Sequence, residues 1–337
     1  MIELPLLPIK RKLKSIAVLT SGGDAPGMNA AIRAVVRFGI SQHIQVYGVH
    51  KGYSGLLEGQ IEPLYASSVA NIIQRGGTIL KTDRCEAFFE KSTRKEAAHI
   101  LERKEIDALV VIGGDGSFTG ASLLETETGF STIGVPGTID NDVAGTEDTI
   151  GFDTAVNTAI EAIDRIRDTA SSHDRIFLVE VMGRNAGYIA LLTGVGGGAE
   201  TIVVPEHRKP TKVSIDAISK TVERGIKRGK SSSIIVVAEG NTPGFTQLIA
   251  AELEKKGHAA KVCILGHTQR GGTPTAHDRH LASVMGASAV MYLLNGKSNG
   301  MVGVRDDKIQ LVPFSKVIGK TKPFPDEMLR FAQVLAV

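Results

Sequence analysis

Short apolar runs recur along the chain, and most of them end in a loop rich in glycine or charge that leads into an amphipathic stretch. The clearest are residues 15–20, 107–112, 176–181 and 233–238. Each is short enough for a buried parallel strand, and the stretches between them have helical length and periodicity. A short helix is also predicted at residues 69–74. This alternation predicts an α/β fold of mainly parallel sheets in three layers, with helices on both faces. Ligands of such sheets bind at the carboxyl ends of the strands, where these loops lie.

The bulk composition narrows the function classes. Of the 337 residues, 42% are hydrophobic and 22% are charged, and the net charge is only +3. These values predict a globular protein that binds no nucleic acid as its main partner. No run reaches the roughly 18 apolar residues of a membrane span, so no membrane partner is expected. Cys85 and Cys263 lie far apart and predict reduced thiols in a cytoplasmic protein, and residues 1–13 predict a loose N-terminal extension.

Two glycine-rich loops have the composition of phosphate-binding sites. Residues 21–27 (SGGDAPG) join a predicted strand to a predicted helix, an arrangement that aims backbone N–H groups at phosphate, although tight turns use glycine without any ligand. Residues 113–117 (GGDGS) place Asp115 between glycines, where its carboxylate could hold Mg²⁺. A plain turn in which Ser117 is the helix N-cap would use the same residues.

A third loop, residues 134–142 (GVPGTIDND), follows an apolar run and ends in two carboxylates. Asp140 and Asp142 are two positions apart, so in an extended segment both side chains would point to the same side. One could accept a proton while the other lies near a metal. The alternative is an Asx-type turn whose aspartates bond only to backbone.

Taken together in chain order, the motifs resemble those of one enzyme family. They are TSGGDAPGMNAAIR, RGGT, VIGGDGS, PGTIDND, SSHDR, VMGRNAG and LGHTQRGG. From about residue 14 to its end the chain resembles the bacterial ATP-dependent 6-phosphofructokinases. The resemblance implies a homotetramer that uses Mg²⁺ to transfer the γ-phosphoryl group of ATP to the 1-hydroxyl of fructose 6-phosphate. It also implies two α/β/α lobes with the active site in the cleft between them: residues 14–151 with 264–316 for ATP, and residues 152–263 with 317–337 for fructose 6-phosphate.

The resemblance further implies roles for single residues. Asp140 corresponds to the general base and Asp115 to the Mg²⁺-side carboxylate. The other implied catalytic residues are Thr138, Arg84 and Arg184. The implied nucleotide contacts are Gly22, Arg84, Cys85, Gly114, Asp115, Gly116 and Ser117. The implied sugar-phosphate contacts are Thr138, Ile139, Asp140, Arg175, Met182, Gly183, Arg184, Glu239, Lys261, His267, Thr268, Gln269 and Arg270. In the family, Arg175 and the residue matching Lys261 reach in from a neighbouring subunit.

Two glycines bear on the choice of phosphoryl donor. In the related pyrophosphate-dependent enzymes an Asp commonly stands at the position of Gly116, and a Lys at that of Gly137. Small residues leave room for the α-phosphate of a nucleotide, so ATP is the predicted donor. A pyrophosphate-dependent enzyme is the first alternative. The second, a non-catalytic homologue that binds sugar phosphate, would be free to lose Asp140, Asp115 or Arg184, and all three are present.

The chain also departs from the family pattern. Lys261 stands where an Arg is common, which removes a bidentate fork for phosphate, and Tyr188 stands where an Asp often follows the MGR motif. An effector site for ADP or phosphoenolpyruvate is implied only in part, by Arg33, Arg37, Arg167, Glu200 and Lys230. Ala66 and Ser67 occupy the place where the family has an effector-site Arg, and Ser231 replaces a usual Lys, so weak or altered effector regulation is predicted.

Overall fold

The computed structural model describes residues 2–171, 175–207, 211–230 and 232–336. The chain divides into two compact units. Unit 1 comprises residues 1–139, 143–153 and 270–322, and unit 2 comprises residues 140–142, 154–269 and 323–337. Both are α/β, which confirms the fold class predicted from the alternating pattern.

Unit 1 is built on a seven-stranded sheet with the order β11-β10-β5-β4-β1-β2-β3. Its strands are β1 (Ser15–Thr20), β2 (Gln45–Val49), β3 (Ile61–Leu64), β4 (Ala108–Gly113), β5 (Ser131–Pro136), β10 (Gly300–Arg305) and β11 (Lys308–Pro313). The outermost strands β3 and β11 are antiparallel to their neighbours, and the five strands between them are parallel. Every residue of β1, β4 and β5 is buried, as continuous apolar strands covered on both faces should be.

The helices of unit 1 are α1 (Met28–Ser41), α2 (Gly52–Leu57), α3 (Lys91–Arg103), α4 (Asp115–Thr128) and α9 (Ala276–Leu294). Helices α1 and α9 pack on each other, while α4 packs on β4 and β5. Under α4, the rings of Phe118 and Phe314 stack with their centroids 5.6 Å apart. These helices follow or precede strands of the parallel core, so the loops between them meet at the edge of the sheet.

Unit 2 is built on a four-stranded, all-parallel sheet with the order β7-β8-β6-β9. The strands are β6 (Ile176–Val181), β7 (Thr201–Val203), β8 (Ser233–Ala238) and β9 (Ala260–Ile264), and the helices are α5 (Phe152–Ser171), α6 (Tyr188–Gly196), α7 (Thr211–Lys227), α8 (Phe245–Lys255) and α10 (Asp326–Leu335). Its core joins Leu178, Ile235 and Val237 of the sheet to Ile218 of α7 and Leu253 of α8.

Two expectations about local structure are wrong. Residues 69–74 form turns rather than a helix, and Asn71 is in the left-handed region at φ 55°. Val69 and Ile72 are buried, but they do not form one face of a helix. Nor is the N-terminal segment loose. The backbone N–H groups of Lys10 and Arg11 both donate to the carbonyl of Leu294 at 2.9 Å, and this fastens the segment to the end of α9.

Candidate active site

The first glycine loop, between β1 and α1, is held by its neighbours through backbone contacts. Gly22 adopts φ 88°, a conformation that favours glycine. The hydroxyl of Thr82 donates to the Gly22 carbonyl at 2.8 Å, and the Gly22 N–H points to the Asp83 carbonyl at 3.4 Å. The segment that continues into the exposed Arg84 and the half-buried Cys85 therefore lies beside this loop.

The second loop, after β4, opens α4 and joins the first. Gly114 is the N-cap residue, so the N-cap alternative for Ser117 is wrong. Instead the buried Ser117 hydroxyl donates to the Ser21 carbonyl at 3.1 Å. Gly116 faces open space, since a Cβ added there would meet no atom within 4 Å. Gly137, by contrast, has little free space beside it, since a Cβ there would lie only 3.0 Å from a methyl of the buried Ile112.

Asp115 fits a Mg²⁺ that arrives with a nucleotide. Its side chain is exposed, and one carboxylate oxygen accepts a 3.0 Å hydrogen bond from the N–H of Gly319. In the described part of the chain, no group of three or more His, Cys, Asp or Glu side chains is close enough to hold a metal. Magnesium usually takes one or two protein carboxylates plus substrate phosphates and water, and a single exposed carboxylate matches that habit.

The third loop, after β5, becomes fully buried at Ile139. Thr138 is half-buried and Ile139 is fully buried, and the hydroxyl of Thr149 donates to the Thr138 carbonyl at 2.6 Å. Asp140 is only 3% exposed. The next residue, Asn141, takes φ 50°. Left-handed backbone at a residue other than glycine is uncommon and turns the chain sharply directly after the candidate base.

Within unit 2, hydrogen bonds link several of the predicted sugar-side residues in pairs, and Arg184 lies close to Asp140. The Nε of Arg184 lies 3.7 Å from Oδ2 of Asp140. Arg184 is itself in the left-handed region at φ 51°, and its backbone N–H donates to Oε1 of Glu239 at 2.8 Å. The N–H of Met182 donates to Oε1 of the buried Gln269 at 2.8 Å.

Gly183 explains how the loop between β6 and α6 closes. Its φ is 137°, and a Cβ there would stand 2.4 Å from the carbonyl of Ala186. Glycine is therefore required by both conformation and space. Because this turn is tight, the side chain of Arg184 and the backbone of Met182 are presented next to each other at the carboxyl end of β6.

Arg175 and Lys261 are not brought to this cluster within one chain. Arg175 directly precedes β6, and Lys261 pairs with Phe177 near the start of the same strand, whereas Met182 and Arg184 follow its carboxyl end. A strand rises about 3.3 Å per residue, so the two ends lie roughly 20 Å apart. Both side chains are exposed.

The turn after β9 carries the last predicted sugar contacts. His267 and Thr268 are exposed, and the Thr268 hydroxyl donates to the Leu265 carbonyl at 2.7 Å. Arg270, the first residue of the chain's return to unit 1, donates from Nη1 to the Asp24 carbonyl at 3.1 Å. The sequence motifs gave no signal for this contact between a predicted sugar-phosphate residue and the first glycine loop.

The predicted effector residues fall into two groups. On α1, Arg33 and Arg37 are one turn apart, and the pKa of Arg33 is lowered by burial and then by the charge of Arg37. In unit 2, a guanidinium N–H of Arg167 donates to the carbonyl of Gly198 at 3.0 Å. Nearby in sequence, Glu200 lies 3.7 Å from Nζ of Lys230. The first group belongs to unit 1 and the second to unit 2.

The described residues include positions 66 and 67, where an effector-site Arg is expected, but not position 231. Ala66 and Ser67 lie in the turn after β3 and are exposed. Ser231 lies outside the described residues.

Tyr188 has a clear structural partner. Its hydroxyl donates to the carbonyl of Pro323 at 2.8 Å, and its ring meets that of Phe324 at a centroid distance of 5.6 Å. Burial, followed by the charges of Glu206 and Asp142, raises the pKa of the Tyr188 phenol. Tyr188 thus holds the segment that leads into α10.

Two further expectations concern thiols and membranes. Cys85 and Cys263 are both free, as predicted, and burial raises the pKa of Cys263. Among the helices of the described residues, none combines the length and apolarity needed to cross a bilayer.

The chain has two α/β units of mainly parallel strands, with glycine loops, a carboxylate and cations at the ends of those strands. These features define an α/β protein of the kind that binds phosphorylated ligands. The sequence model of one family, phosphofructokinase, matches residues 15–293. The chain belongs to the phosphofructokinase family, which confirms the resemblance inferred from its motifs.

Curated relatives match over nearly their whole length. An ATP-dependent 6-phosphofructokinase 1 of Thermus thermophilus is 53% identical over 326 residues, which are 96% of this chain and 100% of the relative. The ATP-dependent 6-phosphofructokinase of Coxiella burnetii is 52% identical over 94% of this chain and 96% of its own.

Solved structures agree on the fold. Phosphofructokinase from Saccharomyces cerevisiae superposes with a TM-score of 0.84 at 38% identity over 95% of this chain, although the chain spans only 46% of that longer protein. A pyrophosphate-dependent phosphofructokinase from Marinobacter aquaeolei gives a TM-score of 0.81 at 24% identity, covering 94% of this chain and 86% of its own, which is a likeness of fold alone.

Proposed function

We propose that the protein catalyses transfer of the γ-phosphoryl group of ATP to the 1-hydroxyl of fructose 6-phosphate, in the cytoplasm. The observation that carries the proposal is the buried Asp140 carboxylate 3.7 Å from the Arg184 guanidinium. A base for the attacking hydroxyl and a cation for the transferred group are two parts that phosphoryl transfer requires. The identity to ATP-dependent relatives supports the same reaction.

Asp140 would take the proton of the sugar hydroxyl as that oxygen attacks. Its burial excludes competing water from the carboxylate. Arg184 is 52% exposed, so its planar fork can turn toward the equatorial oxygens of the phosphoryl group. Thr138 and Arg84 are proposed to hold the same group.

The nucleotide would lie on the two glycine loops. Its phosphates would contact the backbone of Gly22 in the first loop and of Gly114, Gly116 and Ser117 in the second. Mg²⁺, held by Asp115 and the phosphates, would neutralise charge that develops on the transferred group. The open space at Gly116 supports a bulky nucleotide over pyrophosphate.

The protein is further proposed to act as a homotetramer with shared active sites. The position of Arg175 and Lys261, roughly a strand length from Arg184 in their own chain, supports their use by a neighbouring subunit. Effector control by ADP or phosphoenolpyruvate is proposed to be weak, since Ala66 and Ser67 occupy the place of one expected Arg and Ser231 replaces a usual Lys. A strongly sigmoidal fructose 6-phosphate curve relieved by ADP would contradict this.

The test is a coupled assay of fructose 1,6-bisphosphate formation with fructose 6-phosphate and Mg²⁺, supplied with either ATP or pyrophosphate at matched concentrations. Product from ATP alone is expected. Product from pyrophosphate alone would overturn the donor but keep the acceptor. No product from either would favour the alternative of a homologue that binds sugar phosphate without turning it over.

A further inference from the structure

We propose that Gly23 is a positioning residue for the sugar phosphate, because its missing side chain gives the Arg270 guanidinium its place on the first glycine loop. The inference rests on the proposed function of Arg270 as a ligand of the sugar phosphate. It assigns a specific task to a residue that neither the motifs nor the nucleotide contacts had singled out.

The approach between the two residues is very close. A Cβ added to Gly23 would stand 2.4 Å from Nη1 of Arg270, 3.2 Å from Cζ and 3.4 Å from Nη2. All three are atoms of the guanidinium group. The group therefore lies across the α-carbon of Gly23, in the space that any other residue would fill.

Conformation does not explain the glycine. The preceding Gly22 has φ 88° and needs glycine for its backbone, but Gly23 is outside the left-handed region, so an alanine there would meet no backbone strain. What an alanine would meet is the guanidinium. Space for Arg270 is therefore a sufficient structural reason for glycine at this position.

Arg270 is also fastened to the loop by a hydrogen bond. Its Nη1 donates to the carbonyl of Asp24 at 3.1 Å. That bond uses one of the five N–H donors of a guanidinium, so the group can be fixed in direction and still offer donors to a phosphate. A methyl at Gly23 would push Nη1 away and break this bond.

The backbone next to Arg270 cannot easily move aside. A Cβ added to Gly76 would stand 2.3 Å from the carbonyl of Gly272, so two turns are in backbone contact there. The buried Asn29 carboxamide donates to the carbonyls of Arg75 and Gly76 at 3.0 and 3.2 Å and holds that second turn. A side chain at Gly23 would therefore be accommodated by turning the Arg270 side chain.

The experiment is a double-mutant cycle of Gly23→Ala and Arg270→Ala, followed by the KM values for fructose 6-phosphate and ATP and by calorimetric titration with fructose 6-phosphate. Losing a well-placed guanidinium donor weakens binding by roughly tenfold to a hundredfold. Gly23→Ala is expected to raise the KM and the dissociation constant for fructose 6-phosphate to that extent, with the KM for ATP nearly unchanged. In the Arg270→Ala background the same change is expected to have an effect below about twofold.

Gly271→Ala is the matched control, since a Cβ there meets nothing within 4 Å and its backbone is unstrained; it is expected to keep wild-type constants. An equal effect of Gly23→Ala in both backgrounds, or no effect in either, would overturn the proposal. Should Gly23→Ala alone fold poorly, the test compares Arg270→Lys with the double variant Gly23→Ala/Arg270→Lys. Lysine has no planar fork across Gly23, so adding Gly23→Ala to it should change little. A wild type that binds fructose 6-phosphate without turnover refutes the proposed function but still allows the cycle, and one that binds none refutes both.

Discussion

The Nε of Arg184 lies 3.7 Å from Oδ2 of Asp140, yet the two side chains differ sharply in exposure, at 52% and 4%. The Asp140 side chain is buried, whereas the Arg184 side chain reaches solvent. This division suits a base that must not move and a cation that must follow a phosphoryl group.

Asp140→Asn is expected to lower kcat by about 10²–10⁴, because an amide of the same shape accepts no proton. Binding of fructose 6-phosphate should persist, since the hydroxyl still finds a hydrogen-bonding group. Steady-state kinetics with calorimetric binding separates the two effects. Asp306→Asn, which removes an exposed carboxylate from the turn after β10, is the control and should leave kcat close to that of the wild type. Near-normal turnover of Asp140→Asn would remove Asp140 as the base.

Gly116→Asp is expected to raise the KM for ATP by about tenfold or more, because a fixed negative charge would face the nucleotide phosphates. The site is open, so the melting temperature should stay close to that of the wild type. Gly116→Ala adds bulk without charge and is the matched control. If Gly116→Asp left the KM for ATP unchanged, the proposed path of the nucleotide over this loop would be wrong.

Several elements could be predicted closely from the sequence because their pattern is local. Strands β1 and β8 have the predicted bounds, since an unbroken apolar run ends at a polar or charged residue. Strand β3 and helix α2 were not predicted, because four and six residues are too short to display a period.

Long-range contacts had no such signal. The Asp115 carboxylate accepts from the N–H of Gly319, 204 positions away, and any residue but proline has that donor. Tyr188 likewise meets a carbonyl at Pro323, 135 positions on. Motifs predicted Asp140 and Arg184, but only three-dimensional packing places Arg270 on Gly23.

Lys261→Arg is expected to lower the KM for fructose 6-phosphate by about twofold to tenfold, since the guanidinium fork binds phosphate through two parallel hydrogen bonds and ammonium does not. Fructose 6-phosphate saturation curves on the purified variant measure the change. Lys255→Arg, on the surface of α8, is the control and should leave the KM unchanged. An unchanged KM in Lys261→Arg would show that Lys261 does not contact the phosphate.

Arg94→Met is expected to destabilise the fold by about 3 kcal/mol, because removing one member of a buried ion pair leaves the other charge buried without its partner. Arg94 is 4% exposed. Its Nε and Nη2 donate to the two carboxylate oxygens of Glu127, and Nη1 donates to the carbonyls of Phe88 and Phe89, all at 2.7 Å. Urea unfolding measures the loss.

The control for Arg94 is Arg165→Met, which breaks an exposed pair with Glu161 one turn earlier on α5. Surface pairs contribute little, so its stability should stay close to that of the wild type. Equal losses for the two variants would show that burial of the Arg94–Glu127 pair is irrelevant to its strength.

His277 should make stability depend on pH. Its Nε2 lies 3.2 Å from Oδ2 of Asp148, and this hydrogen bond, more than the other nearby carboxylates, raises the pKa of His277 in the folded protein. A raised folded pKa means that the stabilisation is complete below the unfolded pKa of about 6.5 and is lost as the pH rises through the folded pKa. His277→Gln should therefore cost stability at about pH 6 and much less at about pH 8. Urea unfolding at the two pH values and one protein concentration measures this, with His280→Gln, exposed on the same helix, as control. A cost that is equal at both pH values would mean that His277 acts without its proton.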